Sequence, residues 1–285
     1  MRVELLGSTE NPELIIATAA KLCYSSANID DLMEKQTPEK IETFISRLEE
    51  MGHESPFEHA SFTFAIEDVS RVTEQQLTRH RIASYSIQSG RYVNRENASF
   101  YFPSDIQENE EAKDIYIDII EQSKDAYKKI SEVLLKHKIR SFLVIEKQLY
   151  SNDCTDEHLL EVMKTSYKKQ LSSFKKLSIE SARMAFLNSL NTKIIVTMNV
   201  RTLWNFFAHR CCFRAQDEIR EMAMKMLAIL KKKHPLIFKH AGASCKKGIC
   251  PEGKAMQCKQ LKGKIPTYED IRELINKYYK NGKVC

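Results

Sequence analysis

Short apolar stretches alternate with helical segments over the first hundred residues. Apolar and polar side chains alternate from Phe62 to Ile66, which predicts a strand with one buried face. Thr37 followed by Pro38 is typical of a helix start, and we expect that helix to end at Gly52. The other elements predicted here are a strand over Val3–Leu6, helices over Pro12–Tyr24 and Val72–Arg81, and a strand over Ser99–Phe102 that Pro103 ends.

The middle of the chain, residues 108–177, is rich in Lys, Glu, Leu and Ile and contains neither glycine nor proline. This pattern predicts two or three long amphipathic helices, interrupted near Ser151–Asp153 and followed by another helix that begins after Ser178. The remaining predictions are a strand over Lys193–Met198, helices over Arg201–Arg210 and Ala215–Lys233, and a last helix that begins at Thr267. Strands and helices are mixed without a βαβ rhythm, so we expect an α+β fold with long helices and a mixed or antiparallel sheet.

The net charge is unevenly distributed along the chain. Of the 285 residues, 44 are Lys or Arg and 38 are Asp or Glu, which gives a net charge of +6. Residues 231–285 carry 14 basic and 4 acidic side chains, a net charge of +10, whereas residues 1–230 carry −4. We therefore expect a single main domain over 1–241 and a basic extension, rich in Cys, Gly and Lys, over 242–285.

Glycine is scarce before residue 241, where only Gly7, Gly52 and Gly90 occur. These three cannot form the G-x-G-x-x-G turn of a dinucleotide fold, so any phosphate must be held by side chains. The amino terminus does not resemble a signal peptide, and no apolar run is long enough to span a bilayer. With eight cysteines and no export signal, the sequence predicts a cytoplasmic protein whose thiols stay reduced.

The densest group of chemically active side chains lies between Arg79 and Tyr92. Three arginines, one histidine and three serines occur in these fourteen residues. Arginine binds phosphate through two parallel hydrogen bonds, and hydroxyl groups complete such a site. Gln76 shares a helix face with Arg79 and His80. Phosphate binding and a solvated basic helix end followed by a polar loop both remain open from these residues alone.

Two further segments, and the single residue Arg183, carry polar or charged side chains that could bind a ligand. Residues 52–59 contain two histidines and two glutamates, but the histidine spacing and Pro56 disfavour a metal site. Arg201 and Asn205 share a helix face, and a solvated helix position is the simpler interpretation of Asn205. Arg183 lies among apolar residues, so it needs either an ion pair within the core or a bound anion.

Together these segments resemble the flavin-dependent thymidylate synthases. The family motif reads here as Arg79-His80-Arg81, seven further residues, Ser89, and then Arg91-Tyr92. The runs over 52–59 and 199–210 also match, in the family's order and at about its spacing. The resemblance covers roughly 1–105 and 178–241, and the stretch 108–177 looks longer than in compact members.

The resemblance implies an α+β homotetramer whose active sites lie between subunits. It implies reductive methylation of dUMP to dTMP, with 5,10-methylenetetrahydrofolate as the carbon donor and release of tetrahydrofolate. FAD would carry the hydride and NADPH would reduce the flavin again. The partners implied are therefore small molecules, with no membrane and no nucleic acid.

The resemblance also implies roles for individual residues. Arg210 is expected beside the uracil ring as the catalytic residue, where its charge stabilises developing negative charge. His53 is expected near the flavin and the folate. The dUMP ligands implied are Gln76, Arg79, Ile87, Gln88, Ser89, Gly90, Arg91, Arg183 and Arg210. The FAD ligands implied are Ser55, Arg79, His80, Arg81, Ile82, Ile87, Asn199, Arg201 and Asn205. Ile87 stands where many relatives carry a polar residue, so any polar contact there must come from its backbone.

The basic extension adds two weak motifs and a rival hypothesis. A Walker A-like stretch ends in Ala255 where the motif needs Ser or Thr, and no strand precedes it, so we reject it. Cys245, Cys250 and Cys258 fit zinc spacing only loosely and lack a clear fourth ligand unless Cys285 or His240 approaches. We therefore favour free thiols and predict no metal. The alternative function is a nucleic-acid-binding protein with a basic tail.

Overall fold

The computed structural model describes residues 1–91, 93, 97–260, 262 and 264–280, and it confirms the predicted α+β fold. The described chain forms two compact units. The first comprises Met1–Glu67, Thr73–Ser86 and Ile194–Cys285, and the second comprises Asp68–Val72 and Ile87–Lys193. None of the helices in the described ranges combines the length and apolar character needed to cross a membrane.

A four-stranded sheet has the strand order β1-β2-β4-β3. Strands β1 and β2 are antiparallel, and their register shifts between Leu5 and Gly7. Alternate residues of β2 and β4 are buried, because successive side chains of a strand point to opposite faces. The strand bounds are Arg2–Ser8 (β1), Ser61–Ser70 (β2), Ser84–Ile87 (β3) and Asn191–Asn199 (β4).

Helices of the first unit cover its buried residues. Phe62 on β2 packs edge-to-face on Phe238, with ring centroids 5.4 Å apart. Phe206 and Phe207 are fully buried on α9, which packs against α10. The helices are α1 (Pro12–Leu22), α2 (Ile29–Glu34), α3 (Pro38–Glu50), α4 (Arg71–Leu77, which begins in the other unit), α9 (Val200–Arg210), α10 (Asp217–Lys233), α11 (Pro235–Phe238) and α12 (Tyr268–Lys280).

The second unit is mostly helical. Its helices are α5 (Ser104–Gln107), α6 (Glu110–Arg140), α7 (Asp156–Ser166) and α8 (Lys168–Ala182), with a π-helical segment at Ser141–Glu146. Helix α6 packs along α8, and Leu143, Leu159 and Met163 are fully buried in their core. Arg140 fastens the connection between α6 and α7, because it donates to Asp156 at 2.7 Å and to the Cys154 carbonyl at 3.0 Å.

Three expectations about secondary structure need correction. The predicted strand Ser99–Phe102 is wrong, because only an isolated bridge between Phe100 and Leu190 forms before Pro103. The helix expected to begin after Ser178 is also wrong, since α8 runs through that residue without a breaker. The helix expected over Val72–Arg81 ends at Leu77, and the unpredicted strand β3 follows it.

Candidate active site

A cavity of about 660 Å³ in the first unit lies at the end of helix α9. Arg210, the last residue of α9, lines it together with Arg79 and His80 from the turn that follows α4. The cavity walls also include Arg214 and Glu252, which form an ion pair of 2.8 Å. Three arginines against one carboxylate make this cavity strongly cationic.

Arg210 is held in a fixed orientation by two hydrogen bonds. Its Nε donates to His80 Nε2 at 3.1 Å, and its NH2 group donates to the Gln76 carbonyl oxygen at 3.3 Å. A guanidinium only donates, so Nε2 of His80 must be unprotonated. Among the described residues, the other three of the five N–H groups of Arg210 have no hydrogen-bond partner and can bind a ligand.

The pKa shifts of this pair have a common physical cause. Burial, followed by the positive charge of Arg210, lowers the pKa of His80 to about 4. Burial also lowers the pKa of Arg210, with a contribution from Arg79. The neutral His80 therefore serves as the acceptor for Arg210 at neutral pH, and the cluster favours the approach of an anion.

Tyr85 and Phe206 hold the imidazole ring and its turn in place. The His80 ring packs edge-on against Phe206, with centroids 5.0 Å apart. The Tyr85 hydroxyl lies 2.7 Å from the His80 carbonyl oxygen and 2.8 Å from that of Leu77. Burial raises the pKa of Tyr85 to about 12, so this hydroxyl remains a donor. Arg81 and Ile82 follow in the same turn and are exposed.

Gln76 offers a hydrogen-bond acceptor beside Arg210. Its Nε2 donates to Gln216 Oε1 at 2.5 Å. Its Oε1 is buried and has no hydrogen-bond partner within the described residues. A buried acceptor without a partner costs free energy of about 1–3 kcal/mol, which a ligand N–H group would relieve.

A second cavity of about 700 Å³ in the first unit also borders α9. Asn205 lines both this cavity and the one around Arg210, and Arg201 and Trp204 line only the second. Arg201 bonds to Glu54 Oε2 at 3.2 Å and to Glu58 Oε1 at 2.5 Å. These three side chains are roughly half exposed, so water screens the ion pairs and a ligand can compete for Arg201.

Several residues of this second cavity were not singled out from the sequence. Glu49 lines it, and burial raises the pKa of this carboxyl to about 7 although Lys239 and Lys247 oppose the shift. Lys239, Lys246 and Lys247 line the same cavity. They come from the segment that follows α11, which sequence patterns placed in or next to the basic extension, so no local signal connects them to α9.

The predicted ligands Asn199, Ser55 and His53 lie at three separate places in the first unit. Asn199 caps α9, and its Oδ1 accepts from the Thr202 backbone N–H at 2.8 Å. Ser55 begins a short 3₁₀ turn and is exposed. His53 lines neither of the two cavities at α9, but a third one of about 630 Å³ beside Arg47 and Met51.

The second unit contains the remaining predicted ligands. Ile87 ends β3, and the Gln88 backbone N–H donates to the Lys193 carbonyl oxygen at 2.9 Å. Ser89 Oγ accepts from the Arg91 backbone N–H at 3.2 Å. The Arg91 side chain pairs with Glu180 at 2.8 Å. Tyr92, the last residue of the motif, lies outside the described residues.

Gly90 and Arg183 approach each other closely within the second unit. A Cβ atom at Gly90 would lie 3.3 Å from Arg183 Cδ and 3.4 Å from its NH1 atom. Arg183 is half-buried and has no ion-pair partner among the residues that the structure describes. The alternative of an ion pair within the core is thereby disfavoured, and its charge is available to an anion.

The structure also bears on metal binding. In the described ranges, no three His, Cys, Asp or Glu side chains form a ready metal site. Within residues 52–59, the two glutamates, Glu54 and Glu58, pair with Arg201.

Known proteins resemble this chain over most of its length. Residues 4–236 match the family model described as thymidylate synthase complementing protein. A flavin-dependent thymidylate synthase of Clostridium tetani is 44% identical over 258 residues, which is 90% of this chain and 93% of that protein. A protein of the same name from Geobacter sulfurreducens is 37% identical and covers 92% of this chain and 97% of its own length. One from Pyrococcus horikoshii is 34% identical over 98% of this chain and 100% of its own.

Proposed function

The chain belongs to the thymidylate synthase complementing protein family, and from this premise we propose that it is a flavin-dependent thymidylate synthase. It methylates dUMP to dTMP, with 5,10-methylenetetrahydrofolate as the carbon donor and FAD, reduced by NADPH, as the hydride carrier. Tetrahydrofolate is the second product. The observation that carries the chemical part of the proposal is the fixed position of Arg210 in a cationic cavity.

The proposed substrate suits the charges and the polar atoms of both units. A nucleotide monophosphate brings negative charge, which Arg79 and Arg210 in the first unit and Arg91 and Arg183 in the second are suited to bind. The buried Oε1 atom of Gln76 can accept from an N–H group of a base. The remaining dUMP ligands proposed are Ile87, Gln88, Ser89 and Gly90. Because Gly90 has no side chain, the backbone groups of this segment stay accessible to a ligand.

Arg210 is proposed to act electrostatically. Its hydrogen bonds to His80 and Gln76 fix the guanidinium before substrate arrives, so little reorganisation is needed during the reaction. In this role its charge stabilises negative charge that develops on the uracil ring as the ring becomes nucleophilic. His80 is a positioning residue for Arg210, since its neutral ring accepts the Nε–H group.

The residues proposed for the flavin fit a large, flat, partly apolar ligand with a pyrophosphate. Ile82 is 75% exposed beside the arginine turn and offers an apolar contact. Arg201 and Asn205 stand on one face of α9 at the second cavity, and the capping bond of Asn199 leaves its amide N–H groups free to donate. Ser55, Arg79, His80, Arg81 and the backbone of Ile87 complete the proposed set. FAD would supply the hydride chemistry when bound.

The remaining expectations stay part of the proposal. We propose a cytoplasmic homotetramer with His53 near the flavin and the folate. The main domain spans 1–241 and the extension 242–285, and the family match that ends at residue 236 supports this division. Membership of an enzyme family favours this function over the alternative of a nucleic-acid-binding protein with a basic tail.

Flavin content and DNA binding distinguish these two functions. We expect the purified protein to be yellow, with about one FAD released per chain on denaturation. Under anaerobic conditions, NADPH should bleach the flavin absorbance, and dUMP with 5,10-methylenetetrahydrofolate should restore it. A colourless protein that takes up no FAD and whose only affinity is salt-sensitive binding to DNA would contradict the proposal.

A further inference from the structure

Large aliphatic side chains form an exposed line along helix α6. Ile115, Ile119, Ile130 and Val133 are 55%, 43%, 41% and 64% exposed, respectively. Because successive helix residues are rotated by about 100°, these four and the half-buried Ala126 lie within about 60° of one another around the helix axis. We call these five residues the α6 stripe. It is about 27 Å long, since a helix rises about 1.5 Å per residue.

The α6 stripe is separate from the face that α6 buries in its own unit. The buried residues Ile120 and Tyr127 lie roughly 100° away from the stripe around the helix. Packing among the described residues therefore leaves the stripe exposed. A continuous apolar strip of this length on the surface of a protein marks a place that another molecule covers.

The charges of α6 are divided between its two halves. Residues 110–125 carry six acidic and two basic side chains, a net charge of −4, and residues 126–140 carry one acidic and five basic side chains, a net charge of +4. The helix dipole favours such charges only in the first and last turns, whereas Asp118, Asp125 and Lys129 lie well inside the helix. A second copy of α6 that runs in the opposite direction would place each acidic half against a basic half.

Charged residues beside the α6 stripe are placed symmetrically about position 127. Asp118 and Lys136 are each nine residues from that position, and Asp125 and Lys129 are each two residues from it. All four lie on one flank of the stripe. When two copies pair about a twofold axis, residue i of one meets residue j of the other and the reverse. An antiparallel pair centred near position 127 therefore brings Asp118 of each copy to Lys136 of the other.

Ion pairs within the chain compete only weakly with this pairing. Lys129 bonds to Asp125 of its own helix at 2.5 Å, and Lys136 lies 3.8 Å from Asp156. These side chains are exposed or partly exposed, so water screens both pairs and little free energy is lost when they rearrange. Among the described residues, Asp118 has no ion-pair partner.

We propose that the α6 stripe is an interface between two copies of this chain, whose α6 helices pack antiparallel. The aliphatic residues supply the apolar contact. The flanking charges set the direction, because a parallel pair would place like charges together. The inference rests on the homotetramer of the proposed function, of which it names one contact, and not on the proposed chemistry.

Sedimentation of the full-length protein over a range of concentrations tests the apolar part of this interface. Ile119→Glu combined with Ile130→Glu should dissociate at a protein concentration about tenfold or more above that of the wild type, because the interface would then bury unpaired carboxylates. Ile117→Glu is the matched control, since Ile117 is also exposed but lies on the opposite side of α6. It should assemble as the wild type does. Circular dichroism checks that all variants remain folded.

Exchange of the flanking charges tests the antiparallel direction. Asp118→Lys and Lys136→Asp should each weaken assembly, because like charges then face each other across the axis. The variant that carries both substitutions restores opposite charges and should recover wild-type assembly. Lys128→Glu, on the far side of α6 from the stripe, is the control and should leave assembly unchanged.

Three results would overturn the proposal. The first is a wild-type protein that remains monomeric at every concentration, and the second is wild-type dissociation by Ile119→Glu combined with Ile130→Glu. The third is a double charge variant that assembles no better than the single ones. Mass is measured without turnover, so failure here leaves the proposed thymidylate synthesis untouched, and loss of that chemistry would leave this interface in place.

Discussion

Arg210 is the residue on which the proposed chemistry depends most. It ends α9, where its charge is also favourable to the helix dipole, and its Nε–H group is committed to a histidine that stays neutral. Because burial disfavours its charge, an anionic base or phosphate is the natural partner for the guanidinium. The side chain is thus arranged before substrate binds rather than by substrate.

The first prediction concerns the removal of this charge. Arg210→Ala should lower kcat/KM for dTMP formation by about 10²–10³-fold, because a preorganised electrostatic contact to the transition state is lost. The purified variant should keep its FAD, since other residues are proposed to hold the flavin. The exposed Arg2→Ala, at the start of β1, is the matched control and should retain wild-type turnover. Near-wild-type dTMP formation by Arg210→Ala would remove the role assigned to this residue.

The second prediction concerns the close approach of Gly90 to Arg183. A methyl group at Gly90 lies 3.3 Å from Arg183 Cδ, so the arginine must shift by a few tenths of an ångström. We expect Gly90→Ala to raise KM for dUMP about tenfold, as a modest overpacking cost would.

The control for this substitution is Gly7→Ala, whose Cβ meets nothing within 4 Å. It should leave KM for dUMP unchanged. If Gly90→Ala also leaves the KM for dUMP unchanged, although the variant binds dUMP, then Arg183 is not a dUMP ligand.

At the scale of residues, sequence motifs indicate candidate positions but not the contacts between them. The motif positions Arg79, His80 and Arg210 do line one cavity. The hydrogen bond between Arg210 and His80 joins residues 130 positions apart in the sequence. A pattern among neighbouring residues cannot predict a contact over such a separation. Glu49 was missed for the same reason, since it belongs to no recognisable spacing with its neighbours in the fold.

Among the elements, α9 connects the two cavities of the first unit. Its N-terminal residue Asn199 caps the helix, Asn205 lines both cavities, and Arg210 ends it. Helical periodicity predicted this element almost to its ends, and Phe206 and Phe207 lie on its buried face. Strand β3 was harder to predict. Ser84–Ile87 alternates polar and apolar residues, but four residues are too few to indicate a strand by themselves, and this one pairs at the edge of the sheet.

Asn199 allows the capping of α9 to be separated from flavin binding. Asn199→Ala should lower the free energy of unfolding by about 1 kcal/mol, because the Thr202 N–H group loses its acceptor. Asn199→Asp should restore that stability, since a carboxylate caps equally well.

Flavin affinity then distinguishes the two roles. If the amide N–H groups of Asn199 donate to FAD, Asn199→Asp should remain weakened in FAD binding while its stability is recovered. Full recovery of both by Asn199→Asp would show that Asn199 only caps the helix. Denaturant unfolding and FAD titration of the apoprotein supply the two readouts.

On the scale of the whole molecule, the proposed ligands are distributed over both compact units. Gln76, Arg79 and Arg210 belong to the first unit, and Arg91 and Arg183 belong to the second. The family resemblance implies a homotetramer with sites between subunits. In such a tetramer, the residues of one site come from more than one copy of the chain.

Subunit complementation tests that claim. Arg210→Ala and Arg91→Ala should each be inactive as pure homotetramers. After they are unfolded together and refolded as mixed tetramers, some sites should carry both native arginines, and activity should reappear. The mass in solution should correspond to four chains of 33.0 kDa. A monomer that is fully active, or mixed tetramers without activity, would contradict sites built between subunits.

The central claim is tested most directly by tritium release from dUMP labelled at C5 of the uracil ring. Methylation at C5 must displace that hydrogen, so the account predicts release to water together with dTMP formation when FAD, NADPH and 5,10-methylenetetrahydrofolate are all present. Product formation should fall to background when the folate is omitted, or when NADPH is omitted once the bound flavin has been oxidised. Undiminished dTMP formation by flavin-free protein, or no dTMP from the complete mixture, would contradict it.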